Sequence, residues 1–179
     1  PQIVEGTLTA TLAYTGKQAA HGGGTWGADA VQATYKKSGN DYVLNGTLRY
    51  VIDGHTADLL IIAARVENST GTNGISLFVV PASTAGITRK WLPTMDQTRH
   101  QAEIVLNNVS ISASALMGTE AQAWPQLQKI ISLAKIAVSA EQMGGAQEVL
   151  DKTVAFTQER IQFGRSIASF QAIKHKAAD

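Results

Sequence analysis

The residue types that do chemistry are sparse in this chain. Its four histidines, His21, His55, His100 and His175, share no metal-ligand spacing with one another or with carboxylates. A lone histidine is more often a satisfied core or surface residue than a ligand. The triple glycine Gly22-Gly23-Gly24 runs into Thr25-Trp26, so it lacks the ammonium and the hydroxyl that a phosphate-cradling loop of the Walker type needs. No Gly-x-Gly-x-x-Gly stands at a strand-to-helix junction. There is no cysteine, which excludes disulfides, thiolate nucleophiles and cysteine-ligated zinc. Basic residues cluster no further than Lys36-Lys37 and Lys174-His175-Lys176, and the net charge is +1. A nucleic-acid footprint needs a basic stripe, and the sequence shows none.

The elements that would position any site fall into two patterns. The 179 residues are 44% hydrophobic and 16% charged, enough apolar material for a packed core. From residue 1 to about 115 the pattern is that of strands. Segments 6–14, 30–37, 41–52, 58–65, 75–80, 86–91 and 102–109 read as about seven strands, with Ser38-Gly39-Asn40 as a hairpin turn. No helical period interrupts them, which predicts an antiparallel sandwich or barrel. After Met117-Gly118 the pattern becomes helical. Leu127, Ile130, Ile131, Ala134, Val138 and Gln142 recur at three- and four-residue steps. Pro125 is tolerable in a first turn. Gly144-Gly145, inside this run, reads as a close helix–helix crossing, since each glycine costs about 1 kcal/mol against alanine. The helix breaks around Gly164, and a second begins near Ser169. The predicted fold class is α+β: an antiparallel β-barrel or sandwich over 1–117, then the start of an α-helical bundle over 118–179. No apolar run reaches membrane-spanning length and no signal peptide is visible, so the expected setting is cytoplasmic, and the sequons at Asn45, Asn68 and Asn108 carry little weight. Pro1 in place of an initiator methionine and a final helix that stops in mid-pattern suggest a fragment.

One stretch carries more than pattern. Arg160-Ile161-Gln162-Phe163-Gly164, then Phe170-Gln171, then His175-Lys176-Ala177-Ala178-Asp179 resembles the signature of the acyl-CoA dehydrogenase family: an Arg-x-x-Phe-Gly turn, Phe-Gln, and a helix ending His-x-x-Ala-Asp. Tyr42-Val43-Leu44-Asn45-Gly46-Thr47-Leu48-Arg49-Tyr50 is similar to that family's Leu-Asn-Gly hairpin, and Ala57-Asp58-Leu59-Leu60-Ile61-Ile62-Ala63-Ala64-Arg65 to the strand after it. Residues 74–81 with Gly86-Ile87, and the Ala-rich stretch 140–150, continue the resemblance in order over nearly the whole chain.

The resemblance implies an FAD-dependent oxidoreductase that dehydrogenates an acyl-CoA thioester between Cα and Cβ, passing hydride to flavin N5. It also implies an electron-transfer flavoprotein as electron acceptor and a homo-oligomer, dimer or tetramer, of the kind that metabolises fatty acids. Position by position, Arg160 would contact the FAD diphosphate of the neighbouring subunit, where a guanidinium fork suits phosphate oxygens; otherwise it is a charge on a helix C-terminus, worth about 0.3–1 kcal/mol. Gln162 and Phe163 would lie against the cofactor, and Gln171 would hydrogen-bond to it across a dimer. Tyr14 and Thr15 align with a strand end beside the flavin ring, and Tyr50 with a position that often holds a stacked tryptophan. Ile52 stands where the family often has a Thr or Ser near N5. Arg99, within Thr98-Arg99-His100-Gln101, and Lys135 align with acyl-CoA-side positions, and Thr25-Trp26-Gly27 replaces a Gly-Ser-Asp loop. Ala134 occupies a position where some members carry the catalytic glutamate, so the general base is expected beyond residue 179. No metal is expected. The alternative is a catalytically silent, FAD-sharing subunit of a hetero-oligomeric dehydrogenase, for which Ile52, Ala134 and the altered loop speak.

Overall fold

A computed structural model describes residues 2–16 and 26–178. The triple glycine, His21 and Thr25 lie outside the described residues. The chain forms two compact units, Pro1–Lys129 and Ile130–Asp179.

The first unit is built on an eight-stranded sheet. Its strands are β1 (Ala10–Ala13), β2 (Thr34–Ser38), β3 (Asp41–Ile52), β4 (Leu59–Val66), β5 (Ile75–Pro81), β6 (Ile87–Leu92), β7 (Gln101–Ser112) and β8 (Leu116–Met117). The order is β6-β7-β3-β2-β4-β5-β8. Alternation of buried and exposed residues along β3 and β7 places Leu44, Leu48, Ile104, Leu106 and Val109 on the core face, as period-two patterning requires. At the centre, Tyr35, Tyr42 and Phe78 pack edge-on or tilted with ring centroids 5.1–5.7 Å apart. The buried Ser76 hydroxyl donates to Tyr35 Oη at 2.9 Å and accepts from the Ala121 amide at 2.7 Å. Ala121 has φ +61°, so this bond helps hold the left-handed corner that leads from the sheet into the following helix.

Two features correct the antiparallel barrel expected from the pattern. The sheet is open, and it is mixed: β1 and β2 both run parallel to β4, Ala13 opposite Ile62 and Thr34 opposite Arg65. The two strands lie end to end in one lane beside β4, and the chain leaves that lane between Ala13 and Thr34. On the other side of the lane stands β3, joined to β2 by ladder pairing and to Gly16 through a bridge at Leu48. The expected first two strands were therefore too long; residues 6–9 and 30–33 belong to turn and connection. Within β3, Asn45-Gly46 forms a bulge. Asn45 Oδ1 accepts from the Asn108 amide at 2.8 Å. A Cβ on Gly46, at φ +140°, would come within 2.8 Å of Ala33 Cα, so only glycine lets the two lanes close here.

The long helix α1 spans Trp124–Glu159. Its first turns belong to the β unit, where the Ala123 amide bonds the Ile75 carbonyl at 2.8 Å and Leu127 is fully buried. In the second unit, α1 runs on from Ile130, followed by a two-strand hairpin of β9 (Ile161–Gln162) and β10 (Arg165–Ser166) and by α2 (Gln171–Ala178). Ser166 Oγ donates to the Thr157 carbonyl at 2.8 Å, pinning the hairpin to the end of α1. No described helix is long and apolar enough to cross a membrane.

Candidate functional site

The β unit gathers Tyr14, Thr15, Tyr50 and Ile52 where β1 leaves the sheet beside β3. The Thr15 carbonyl accepts from the Arg49 amide at 2.9 Å, and the Gly16 amide donates to Ala30 at 2.8 Å. The next β3 residue, Tyr50, has φ +57° at a register shift between Leu48 and Val51. That bulge leaves the residue 45% exposed, with the Arg49 guanidinium 5.5 Å from the ring centre. Ile52 is 49% exposed, and its carbonyl accepts from Thr11 Oγ1 at 2.6 Å. Tyr14 is buried, tilted against Trp26 at 6.4 Å. Its hydroxyl is enclosed without a well-aligned hydrogen-bond partner. Burial pushes the phenol above its ordinary pKa, and the Thr15 side chain offsets this in part. The result is a surface of apolar and aromatic side chains beside a fixed threonine.

The position after Thr15 shows a constraint that sequence reading missed. A Cβ on Gly16 would stand 2.5 Å from Gln32 Cβ. The Gln32 side chain thus fills the space that a side chain at position 16 would take, and glycine is needed for close approach rather than for its φ. Nothing in the local sequence signals it, because the two residues meet across the excursion between β1 and β2.

Arg99 lies in the connection between β6 and β7. Asp96 organises that connection: its Oδ1 accepts from the Thr98 hydroxyl at 2.6 Å and the Thr98 amide at 2.8 Å. These bonds, then the Arg99 charge, lower the Asp96 pKa. The adjoining His100 packs edge-on to His55 at 5.7 Å and against Trp91 at 6.4 Å. Among the described residues no group of three or more His, Asp or Glu is placed to hold a metal ion. Lys135 is exposed on α1, and its carbonyl accepts from Ser139 Oγ at 2.8 Å.

The second unit gathers Arg160, Gln162, Phe163 and Gln171 around the β9–β10 hairpin. The Arg160 amide closes the last turn of α1 on Phe156 at 2.9 Å, and its carbonyl accepts from Ile167 at 2.9 Å. Phe163 sits at φ +54° before Gly164 at φ +75°, a turn that leaves the residue 91% exposed. Phe170 meets that ring edge-on at 6.0 Å and carries the Arg165 guanidinium on its other contact, 4.2 Å from the ring centre. The two arginines of the hairpin therefore differ. Arg165 is engaged by an aromatic face, whereas the exposed Arg160 guanidinium has no hydrogen-bond or ion-pair partner among the described residues. Gln171 opens α2 with an exposed side chain.

Family models and known proteins match this chain. Residues 19–109 match the family model for the acyl-CoA dehydrogenase middle domain, and residues 122–179 match that for the acyl-CoA dehydrogenase C-terminal domain. A 3-(aryl)acrylate reductase of Clostridium sporogenes is 32% identical over 85% of this chain and 41% of its own length. The butyryl-CoA dehydrogenase structure from Megasphaera elsdenii superposes with a TM-score of 0.88 at 29% identity, over 99% of this chain and 46% of that one. A structure described as an FAD-dependent dehydrogenase gives a TM-score of 0.88 at 26% identity, over 100% and 47%. The chain thus spans less than half the length of these relatives. On the strength of both domain matches and the shared architecture, the chain belongs to the acyl-CoA dehydrogenase family.

Proposed function

We infer that this chain is the flavin-binding part of an FAD-dependent oxidoreductase that acts on the Cα–Cβ bond of an acyl-CoA thioester. The observation that carries the reading is the hairpin of the second unit. Arg160 and Gln171 present exposed donors there, near Phe163, which is largely exposed and touched edge-on by Phe170. The residues fit the cofactor. An uncommitted guanidinium suits a diphosphate, and Tyr50, Ile52 and the fixed Thr15 suit a flat aromatic ring with polar edges. When bound, FAD supplies the hydride-accepting chemistry.

The chain's own residues bind and orient. In a homo-oligomer, Arg160 holds the diphosphate of a neighbouring copy's FAD, Gln162 and Phe163 pack against that cofactor, and Gln171 donates to it. Tyr14 and Thr15 line the ring edge, and Tyr50 shields its face. Arg99 and Lys135 serve the acyl-CoA side. In this reading residues 1–117 are the middle β domain, 118–179 open the C-terminal helical domain, and the proton-abstracting base lies beyond residue 179. Electrons would leave to an electron-transfer flavoprotein. A second reading, a silent FAD-sharing subunit of a hetero-oligomer, draws on Ile52, a half-exposed apolar side chain where a hydroxyl donor is expected. A glutamate or aspartate at the base position of the full-length protein would decide against it.

Replacing Arg160 tests the reading. Charge-assisted hydrogen bonds contribute about 1.5–3 kcal/mol, so Arg160→Ala in the full-length protein should weaken FAD binding by about tenfold or more. Fluorescence titration of the apoprotein measures this, and an unchanged affinity would remove Arg160 from the site.

A further inference from the structure

We propose that Arg65 is a positioning residue that fixes the Thr15–Gly16 backbone at the edge of the candidate flavin site. The inference rests on the reading that Thr15 meets the flavin. Arg65 ends an apolar run on β4 and is buried, with 8% of its surface exposed. Its Nε donates to the Val31 carbonyl at 2.7 Å and Nη2 to Ala28 at 2.8 Å. On the other side Nη1 donates to the Ser69 carbonyl at 2.7 Å and Nη2 to Gly71 at 2.9 Å. Its own amide bonds Ala33 at 2.9 Å. No carboxylate pairs with it among the described residues. A buried cation answered only by backbone carbonyls is an unusual element, because an ion pair would ordinarily offset the desolvation. Here the cation joins two chain segments that have no ladder pairing with each other.

The segment so held is the return limb of the excursion between β1 and β2. It reaches the site in one step: the Ala30 carbonyl, between two Arg65 acceptors, receives the Gly16 amide at 2.8 Å. Thr15 is then fixed from both sides, by that bond and by the Arg49 amide on its carbonyl at 2.9 Å. Trp26, which packs on Tyr14, lies on the same limb. A lysine could not replace Arg65. Its three donors radiate from one nitrogen, whereas the four carbonyls lie on opposite sides of a planar fork.

The test uses the full-length protein and FAD as the probe. In Arg65→Lys, FAD affinity should fall by about tenfold, the effect of losing one or two charge-assisted bonds. The visible circular dichroism of bound flavin should change, and methylguanidinium should restore both properties to Arg65→Ala. A merely structural role predicts a lower melting temperature with flavin affinity and spectrum intact, and that result overturns the proposal. If neither variant folds, hydrogen exchange on the wild-type protein decides. Removing FAD should speed exchange of the Gly16 and Val31 amides together, and no change at either overturns the proposal. A wild-type protein that binds no flavin overturns both this role and the reading beneath it, whereas normal flavin binding by both variants overturns the role of Arg65 alone.

Discussion

The two units use apolar residues in opposite ways. In the β unit, Tyr35, Leu44, Leu48, Leu60, Ile62 and Phe78 are each at most 2% exposed, and the pattern that marks them as core is satisfied within the chain. In the helical unit, Leu133, Ile136, Met143, Val149, Phe156 and Phe163 are 57–91% exposed. A helix with apolar residues on every side is ordinarily a buried one, and within its own unit α1 leaves these apolar positions open. The difference teaches that the β unit buries its apolar pattern within itself, whereas much of the helical unit's apolar surface is left uncovered within that unit. The exposed cofactor-type donors lie in the second unit.

Truncating the core of the β unit has the largest expected effect. Phe78→Ala should cost about 3–5 kcal/mol, read as a lower denaturation midpoint with the helical signal of the second unit lost later or not at all. Equal, simultaneous loss of both would break the contrast. Gly144→Ala sharpens the other side. A Cβ there meets nothing within 4 Å among the described residues, so propensity alone would add about 1 kcal/mol of stability. If the glycine pair marks the helix–helix crossing expected from the sequence, the full-length protein should instead show a lower melting temperature. A rise would mean that this face stays open.

The smallest effect is with pH. Asp58 Oδ2 accepts from the Thr9 amide and hydroxyl, both at 2.8 Å, and these bonds hold its pKa below the ordinary 3.8. A depressed carboxylate contributes stability that is complete above its unfolded pKa and is lost as pH falls through the folded one. Anchoring of the segment before β1 should therefore persist at pH 5 and weaken only below pH 3.8, with Asp58→Asn removing that dependence in a proteolysis assay. Loosening that begins above pH 5 would assign it to another group.

Much of this was legible in the sequence. The β3 limits, the β5 start, the Ser38-Gly39-Asn40 turn and the long helix follow from alternation, turn residues and period. The parallel lane of β1 and β2 was not legible, because parallel neighbours are joined by an excursion whose length says nothing of where the chain returns. The Gly16–Gln32 approach and the Arg65 contacts were hidden for the same reason, although a lone arginine closing the run Leu59 to Ala64 is a signal that could have drawn notice. For the site, resemblance supplied the residues. Local physics supplies their state: Tyr50 is exposed by a bulge, Phe163 by a turn, and Arg165 is engaged where Arg160 has no partner among the described residues.

The most direct test of the account is a titration of the full-length apoprotein with FAD, followed by visible absorbance and by flavin fluorescence. The account predicts saturable binding at one FAD per chain with a perturbed flavin band, weakened by Arg160→Ala. A full-length protein that folds and yet leaves the flavin spectrum unchanged at every concentration would contradict it.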